Sequence, residues 1–197
     1  MDILDSAFWD NRYLMDQTGW DIGQATPALR GYFEQLENKK LKILIPGCGN
    51  AYEAAYLMDN GFEDVTLIDI SGVLVKELRR RFVQYEGKRL HIIQHDFFDY
   101  TGQFDLIIEQ TFFCALNPAL RKAYVSRMYE LLKPGGKLVG LLFNREFEGG
   151  PPFSGSLTEY KELFKRKWDL LKLETCYNSI VPRAGTELFI IAQKYVE

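Results

Sequence analysis

The stretch LKILIPGCGN, residues 41–50, decides the fold of this chain. An apolar run ends in two glycines separated by one residue, and a helical pattern containing Ala54, Ala55 and Leu57 begins soon afterwards. This order predicts a buried strand, a tight turn and a helix. Glycine tolerates unusual backbone angles and lets a ligand approach the backbone closely. Because the free N–H groups of the next helix point back at the turn, the turn is a candidate ligand site.

The rest of the chain continues the alternation of strands and helices. Strands are predicted at 41–46, 65–69, 90–94, 104–109, 137–143, 170–178 and 187–194, and helices at 52–59, 73–85, 118–132 and 157–167. The alternation predicts an α/β fold with a doubly wound, mostly parallel, seven-stranded sheet. The last two strands are joined by about eight residues, too few for a crossover helix, so the sheet is predicted to end with an antiparallel C-terminal strand.

Residues 1–37 form a leader with many aromatic residues, and two interpretations of it stay open. The leader is either a pair of aromatic-rich helices packed on the domain edge, or a helical lid over a pocket with Trp9 and Trp20 as walls. In both cases the length and ordinary composition predict one domain, residues 1–197, with a core at 38–197.

Composition limits the partners of the protein. The net charge is −3, and Arg79–Arg81 is the one compact basic run, so no nucleic-acid partner is expected. The three cysteines lack a CxxC pattern, and His91 and His95 fall in a predicted strand, so no metal site is expected. The N-terminus has no signal-peptide pattern and no run is long enough to span a membrane, which predicts a cytoplasmic protein.

Ligands of open α/β sheets bind at the edge formed by the carboxyl ends of the strands. The side chains at the ends of the predicted strands are therefore the candidate ligand contacts. Asp69 ends the second strand twenty residues after Gly49 and is placed to accept hydrogen bonds from ribose hydroxyls. Its alternative role is to cap the next helix, which Ser71 could do instead. Asp96 suits the amino group of adenine, and Phe97 offers a face for the ring.

This set fits an adenosine cofactor, either NAD or S-adenosylmethionine. The dinucleotide fingerprint G-x-G-x-x-G needs a third glycine beside the pyrophosphate, and here that position is Tyr52. S-adenosylmethionine has no pyrophosphate and does not need this glycine. A nicotinamide reductase stays a remote alternative.

Several motifs together resemble the class I S-adenosylmethionine-dependent methyltransferases. In chain order they are PGCG at 46–49, HDFF at 95–98, FDLIIEQ at 104–110 and LLKPGGKLV at 131–139. The leader segments FWDNRY (8–13) and GWDIGQATP (19–27), with TFFCAL (111–116) and EGGPPF (148–153), narrow the resemblance. They are similar to the thiopurine methyltransferase superfamily, and in particular to its halide/thiol (thiocyanate) methyltransferase branch.

The resemblance implies S-adenosyl-L-methionine as cofactor, S-adenosyl-L-homocysteine as product, and a Rossmann-like core. The residues that it implies as cofactor contacts are Trp9, Tyr13, Trp20, Gly47, Gly49, Asp69, Asp96, Phe97 and Glu109. Tyr13 stands where the family usually has a third tryptophan. The candidates on the acceptor side are Tyr13, Gln110 and Arg145, and no catalytic residue is assigned beyond these.

The expected reaction is in-line displacement of the methyl group by a small soft nucleophile: a thiol, a thiopurine-like compound, thiocyanate or a halide. Such an acceptor needs no strong general base, and proximity in a dry pocket supplies much of the acceleration. O- or N-methylation of a small metabolite and a non-catalytic cofactor-binding domain stay as alternatives. Arg145 and Arg183 either attract an anionic acceptor or lie on the surface, and Cys48 and Cys114 are expected to be packing residues. The assembly is expected to be a monomer or a weak dimer.

Overall fold

A computed structural model describes residues 4–196, so the first three residues of the leader and the last residue of the core lie outside the described part. The helices are α1 (Ser6–Leu14), α2 (Pro27–Phe33), α3 (Tyr52–Asp59), α4 (Gly72–Arg81), α5 (Arg121–Leu131) and α6 (Leu157–Phe164). The strands are β1 (Lys42–Pro46), β2 (Asp64–Asp69), β3 (Leu90–Gln94), β4 (Phe104–Gln110), β5 (Leu132–Phe143), β6 (Trp168–Thr175) and β7 (Glu187–Lys194).

The strands form one seven-stranded sheet in the order β3-β2-β1-β4-β5-β7-β6. The first five strands pair in parallel, and β7 is antiparallel to both β5 and β6. The predicted mixed sheet is therefore confirmed, but its antiparallel strand lies inside the sheet and β6 forms the edge. The chain changes direction across the sheet between β1 and β4, so the carboxyl ends of these two strands flank the crevice where such folds bind ligands.

One strand differs clearly from its predicted bounds. The structure starts β5 at Leu132, five residues before the start that the sequence predicts for this strand at residue 137. Leu132 pairs with Phe104 of β4, and the register then shifts before Leu106 pairs with Lys137. The segment 133–136, which contains Gly135 and Gly136, is thus an irregularity inside a longer strand.

The core has two halves, one on each face of the sheet. Alternate side chains of β1 supply both halves, with Ile43 and Ile45 on one face and Leu44 on the other. Helices α2, α3 and α4 contribute buried residues to the first half, and α5 and α6 to the second. This double coverage explains why β1 reads as a continuous apolar run.

The two helices of the leader behave differently. In α2, Ala28, Leu29 and Phe33 are buried, whereas α1 has no buried residue and lies against α4. The packed-helix interpretation therefore describes α2, while α1 lies on the outside of the core against α4. Within residues 4–196, the helices are all too short or too polar to cross a membrane.

Candidate active site

A cavity of about 580 Å³ lies at the carboxyl ends of β1 to β4, beneath the leader. It is lined by every predicted cofactor contact except Glu109, namely Trp9, Tyr13, Trp20, Gly47, Gly49, Asp69, Asp96 and Phe97. The parallel topology explains this convergence, since the strand ends that the sequence places far apart meet at one edge of the sheet.

The turn after β1 is held in a left-handed conformation at alternate residues. Gly47, Gly49 and Ala51 have φ angles of 55°, 50° and 52°. A Cβ atom on Gly47 would lie 2.2 Å from Cδ2 of Phe112, so this glycine lets the Phe112 ring pack against the turn. A Cβ on Gly49 would meet nothing closer than the Tyr13 hydroxyl at 3.8 Å, so the positive φ is what favours glycine there.

Asp69 ends β2 and faces the cavity with a buried carboxylate. Its Oδ1 accepts a hydrogen bond from the Ser71 N–H at 2.9 Å, and Ser71 in turn caps α4 by accepting from the Leu74 N–H at 3.1 Å. Because Ser71 caps the helix, Asp69 is not needed for that role. Burial, with a smaller contribution from the charge of Asp10, outweighs the lowering effect of backbone N–H groups and raises the pKa of Asp69 to about 6.

Three rings of the leader form one wall of the cavity. Trp20 packs edge-to-face on Trp9 with ring centroids 5.6 Å apart, and on Tyr13 at 6.0 Å. Burial raises the pKa of Tyr13 far above its usual range, and the charge of Asp69 adds to this shift. Tyr13 is therefore a neutral phenol at physiological pH, and the aromatic faces can attract a cation such as a sulfonium.

Two aspartates that the sequence analysis missed fasten the leader to the core. The Asp10 carboxylate accepts hydrogen bonds from the Ser71 hydroxyl and from the Val73 N–H at the start of α4. The Asp21 carboxylate accepts from the Asn50 side-chain amide and, at 3.2 Å, from the Tyr52 hydroxyl. Each aspartate directly follows a tryptophan of the cavity wall. This repeated Trp-Asp pair is the sequence pattern from which the two aspartates could have been predicted.

Glu109 is the one predicted cofactor contact that the structure places elsewhere. Its carboxylate is fully buried and accepts hydrogen bonds from the N–H groups of Phe112 (2.8 Å) and Phe113 (3.0 Å) and from the Tyr124 hydroxyl. Burial raises the pKa of Glu109 to about 7. Glu109 therefore stabilises the loop that follows β4 through these hydrogen bonds. Its neighbour Gln110 lines the cavity instead.

The two candidate arginines also lie outside the cavity lining. Arg145 is exposed, with its guanidinium 4.7 Å from the centroid of the Phe147 ring. Arg183 is buried and donates to the Trp20 carbonyl at 2.7 Å, so it is neither a surface residue nor a contact of the cavity.

The remaining candidates do line the cavity. Oε1 of Gln110 is buried and accepts no hydrogen bond from the described residues. Cys48 and Cys114 are both buried, and burial raises the pKa of each thiol above its usual range. Thiols with raised pKa values are poor nucleophiles at neutral pH, which agrees with a packing role.

Sequence comparisons agree with this geometry. The profile of the family described as Thiopurine S-methyltransferase matches residues 4–194. The chain is 33% identical to probable thiol methyltransferase 2 of Arabidopsis thaliana, over 92% of this chain and 82% of that protein. It is 28% identical to thiopurine S-methyltransferase of Vibrio parahaemolyticus, over 81% of this chain and 82% of that protein.

Comparison with solved structures supports the fold. The crystal structure of 1,6-didemethyltoxoflavin-N1-methyltransferase from Burkholderia thailandensis, with bound S-adenosylhomocysteine, matches with a TM-score of 0.71. The match covers 98% of this chain and 87% of that chain at 18% identity, so it speaks for the fold alone. The family is shown instead by the profile match over residues 4–194 and by the 33% identical relative. The chain belongs to the thiopurine S-methyltransferase family, and it is an S-adenosylmethionine-dependent methyltransferase.

Proposed function

We propose that the protein transfers the methyl group of S-adenosylmethionine to a small soft nucleophile: a thiol, a thiopurine-like compound, thiocyanate or a halide. We assign the acceptor to the end of the cavity lined by residues 110–112, residues 114–117, Leu120, Pro151 and Pro152. Among the described lining residues of this end, Cys114 is the single ionisable side chain, and its pKa is raised by burial. An acceptor bound there receives no help from a general base, which favours sulfur or halide over a hydroxyl or an amine.

The cofactor would then occupy the other end of the cavity. Gly47 and Gly49 would hold its methionine part, Asp69 the ribose, and Asp96 with Phe97 the adenine. The wall of Trp9, Tyr13 and Trp20 would face the sulfonium. For a thiol, the acceptor sulfur forms the new bond to carbon while the sulfonium–carbon bond breaks, its electron pair stays on the homocysteine sulfur, and the thiol proton leaves to solvent.

The names of the relatives support this acceptor class without fixing one member of it, since they refer both to thiols and to thiopurines. Purified protein incubated with methyl-labelled cofactor should methylate thiols, thiocyanate or iodide and leave phenols and amines unmodified. Binding of S-adenosylhomocysteine without transfer to any of these would contradict the proposal, and transfer to a phenol or an amine alone would favour the O- or N-methyltransferase alternative.

We further propose that residues 1–197 act as one cytoplasmic methyltransferase domain, with residues 1–37 as its lid and no nucleic-acid partner. The proposed assembly is a monomer or a weak dimer. Sedimentation velocity across a concentration series would test the assembly, and a tight higher oligomer would contradict it.

Replacing Gln110 with leucine is expected to raise the KM for the acceptor by about fivefold while leaving the affinity for S-adenosylhomocysteine unchanged. The buried Oε1 of Gln110 needs a donor, because an unsatisfied buried polar atom is costly, and a thiol S–H can supply one. The same substitution at Gln103, which precedes β4 at its other end, is the matched control. Equal KM values for wild type and Gln110→Leu would remove Gln110 from the acceptor site.

Replacing Trp20 with alanine is expected to lower kcat/KM by about three- to tenfold, the range that the loss of aromatic pairs such as Trp9–Trp20 and Tyr13–Trp20 supports. Trp20→Phe should recover most of the activity. Steady-state kinetics with Trp168→Phe as control would check this, because Trp168 is buried outside the cavity lining. Unchanged kinetics in Trp20→Ala would reduce the leader to a packing element.

A further inference from the structure

A buried guanidinium of the C-terminal hairpin donates a hydrogen bond to the backbone of the leader. Arg183 Nη2 donates a hydrogen bond to the backbone carbonyl of Trp20 at 2.7 Å. Arg183 Nη1 pairs with Oε1 of Glu187 at 3.3 Å. Both partners of the ion pair are buried, with 9% of Arg183 and 2% of Glu187 exposed. A buried guanidinium with two oxygen partners is held far more firmly than a surface arginine.

Arg183 is itself fixed by the connection between β6 and β7. It ends a short 3-10 turn, Val181–Arg183, and its carbonyl accepts hydrogen bonds from the Thr186 hydroxyl (2.9 Å) and the Thr186 N–H (3.0 Å). Its guanidinium also lies 5.3 Å from the centroid of the Phe143 ring, at the end of β5. These contacts come from the core, so they position the guanidinium independently of the leader.

The Trp20 carbonyl that accepts this hydrogen bond lies between the aromatic wall of the cavity and the contacts of Asp21. The Trp20 ring is part of the cavity wall, and the next residue, Asp21, binds Asn50 and Tyr52 beside the glycine turn. A shift of the backbone at Trp20 would therefore move the aromatic wall and loosen the tie to the turn together.

We propose that Arg183 is a positioning residue that holds the leader closed over the cofactor cavity through the Trp20 carbonyl, without touching the cofactor or the acceptor. The inference rests on the use of S-adenosylmethionine and not on the identity of the acceptor. It replaces the earlier expectation that Arg183 attracts an anionic acceptor or lies free on the surface.

The test removes the guanidinium together with the charge of its ion-pair partner. In Arg183→Met/Glu187→Gln, the hydrogen bond to Trp20 is lost and no unpaired Glu187 carboxylate is left behind. We expect the affinity for S-adenosylhomocysteine, measured by calorimetry, to fall about tenfold, as for the loss of a hydrogen bond to a charged group. The KM for the cofactor should rise by a similar factor with a smaller change in kcat, and the tryptophan fluorescence should shift toward that of solvent-exposed indole.

Two controls separate positioning from general damage. Glu187→Gln alone keeps the bond from Arg183 to Trp20, so its cofactor affinity should stay close to that of wild type. Arg80→Met changes an exposed arginine of α4 and should alter neither the affinity for S-adenosylhomocysteine nor the tryptophan fluorescence. Arg183→Lys keeps the charge but loses the planar two-way contact, and it should lie between wild type and the double variant.

Wild-type cofactor affinity and fluorescence in the folded double variant would overturn the inference. If the double variant does not fold, Arg183→Lys decides, and wild-type values for it would overturn the inference equally. A failure of the proposed acceptor is distinguishable, because the wild-type protein would then bind S-adenosylhomocysteine without methylating thiols while the affinity differences among these variants persist.

Discussion

Replacing Asp69 with alanine is expected to weaken the binding of S-adenosylhomocysteine by more than tenfold. The buried carboxylate at the end of β2 is the group that we assign to the ribose hydroxyls, and a hydrogen bond to a charged group contributes about 1.5–3 kcal/mol. This range corresponds to roughly 10- to 150-fold in affinity. Calorimetric titration at pH 8, where Asp69 is ionised, measures the effect directly.

The pH dependence gives an independent measure of the same carboxylate. Since the pKa of Asp69 is raised to about 6 by burial, the group gains a proton as the pH falls through 6 and then accepts hydrogen bonds less strongly. Wild-type affinity should therefore decline between pH 7 and pH 5. Asp69→Asn keeps the shape and the acceptor oxygen without a titrating charge, so its affinity should not follow this decline. Unchanged affinity in Asp69→Ala would contradict the assignment of the ribose site.

Replacing Glu109 with glutamine is expected to change how the stability of the protein depends on pH. The pKa of Glu109 rises from 4.5 to about 7 on folding because the group is buried. The folded state thus binds the proton more tightly than the unfolded state. The stability from this group is complete below pH 4.5 and is lost as the pH rises through 7. The span corresponds to about 3 kcal/mol.

Urea unfolding at pH 5 and pH 8 measures this effect as a difference between two proteins. The free energy of unfolding of wild type, relative to Glu109→Gln, should fall by about 2–3 kcal/mol between the two pH values. Asp69 also has a raised pKa, but it is present in both proteins and cancels. Glu63→Gln changes an exposed glutamate and should leave the difference from wild type constant. A constant difference for Glu109→Gln would show that the ionised carboxylate is compensated by its three hydrogen-bond donors.

Sequence periodicity predicts most of the sheet because its signals are local. The apolar run of β1, the glycines after it and the start of α3 lie within twenty residues of one another, and α3 and β3 have the predicted bounds. The placement of β7 between β5 and β6 is not a local property. The short connection between β6 and β7 predicts that these two strands are antiparallel. It does not determine which of them pairs with β5.

The same distinction divides the candidate site. Asp69, Asp96 and Phe97 were predictable because parallel strands bring their carboxyl ends to one edge, whatever the details of packing. Glu109 and Gln110 were not separable, because neighbouring residues of a strand point to opposite faces. Which face meets α5 and which meets the cavity depends on the packing of Tyr124, which lies outside the strand.

By itself, then, the sequence determined the alternating α/β sheet, the strand ends that carry the site, and the aromatic leader. Tertiary structure alone decided how the leader is held: Arg183 reaches Trp20 across 163 residues of chain, and Asp10 reaches Ser71 across 61. The physical reason is the range of the interactions. Capping, turn conformation and hydrophobic periodicity act over a few residues, whereas a hydrogen bond between distant segments exists only once the packed core has brought both partners within 3 Å.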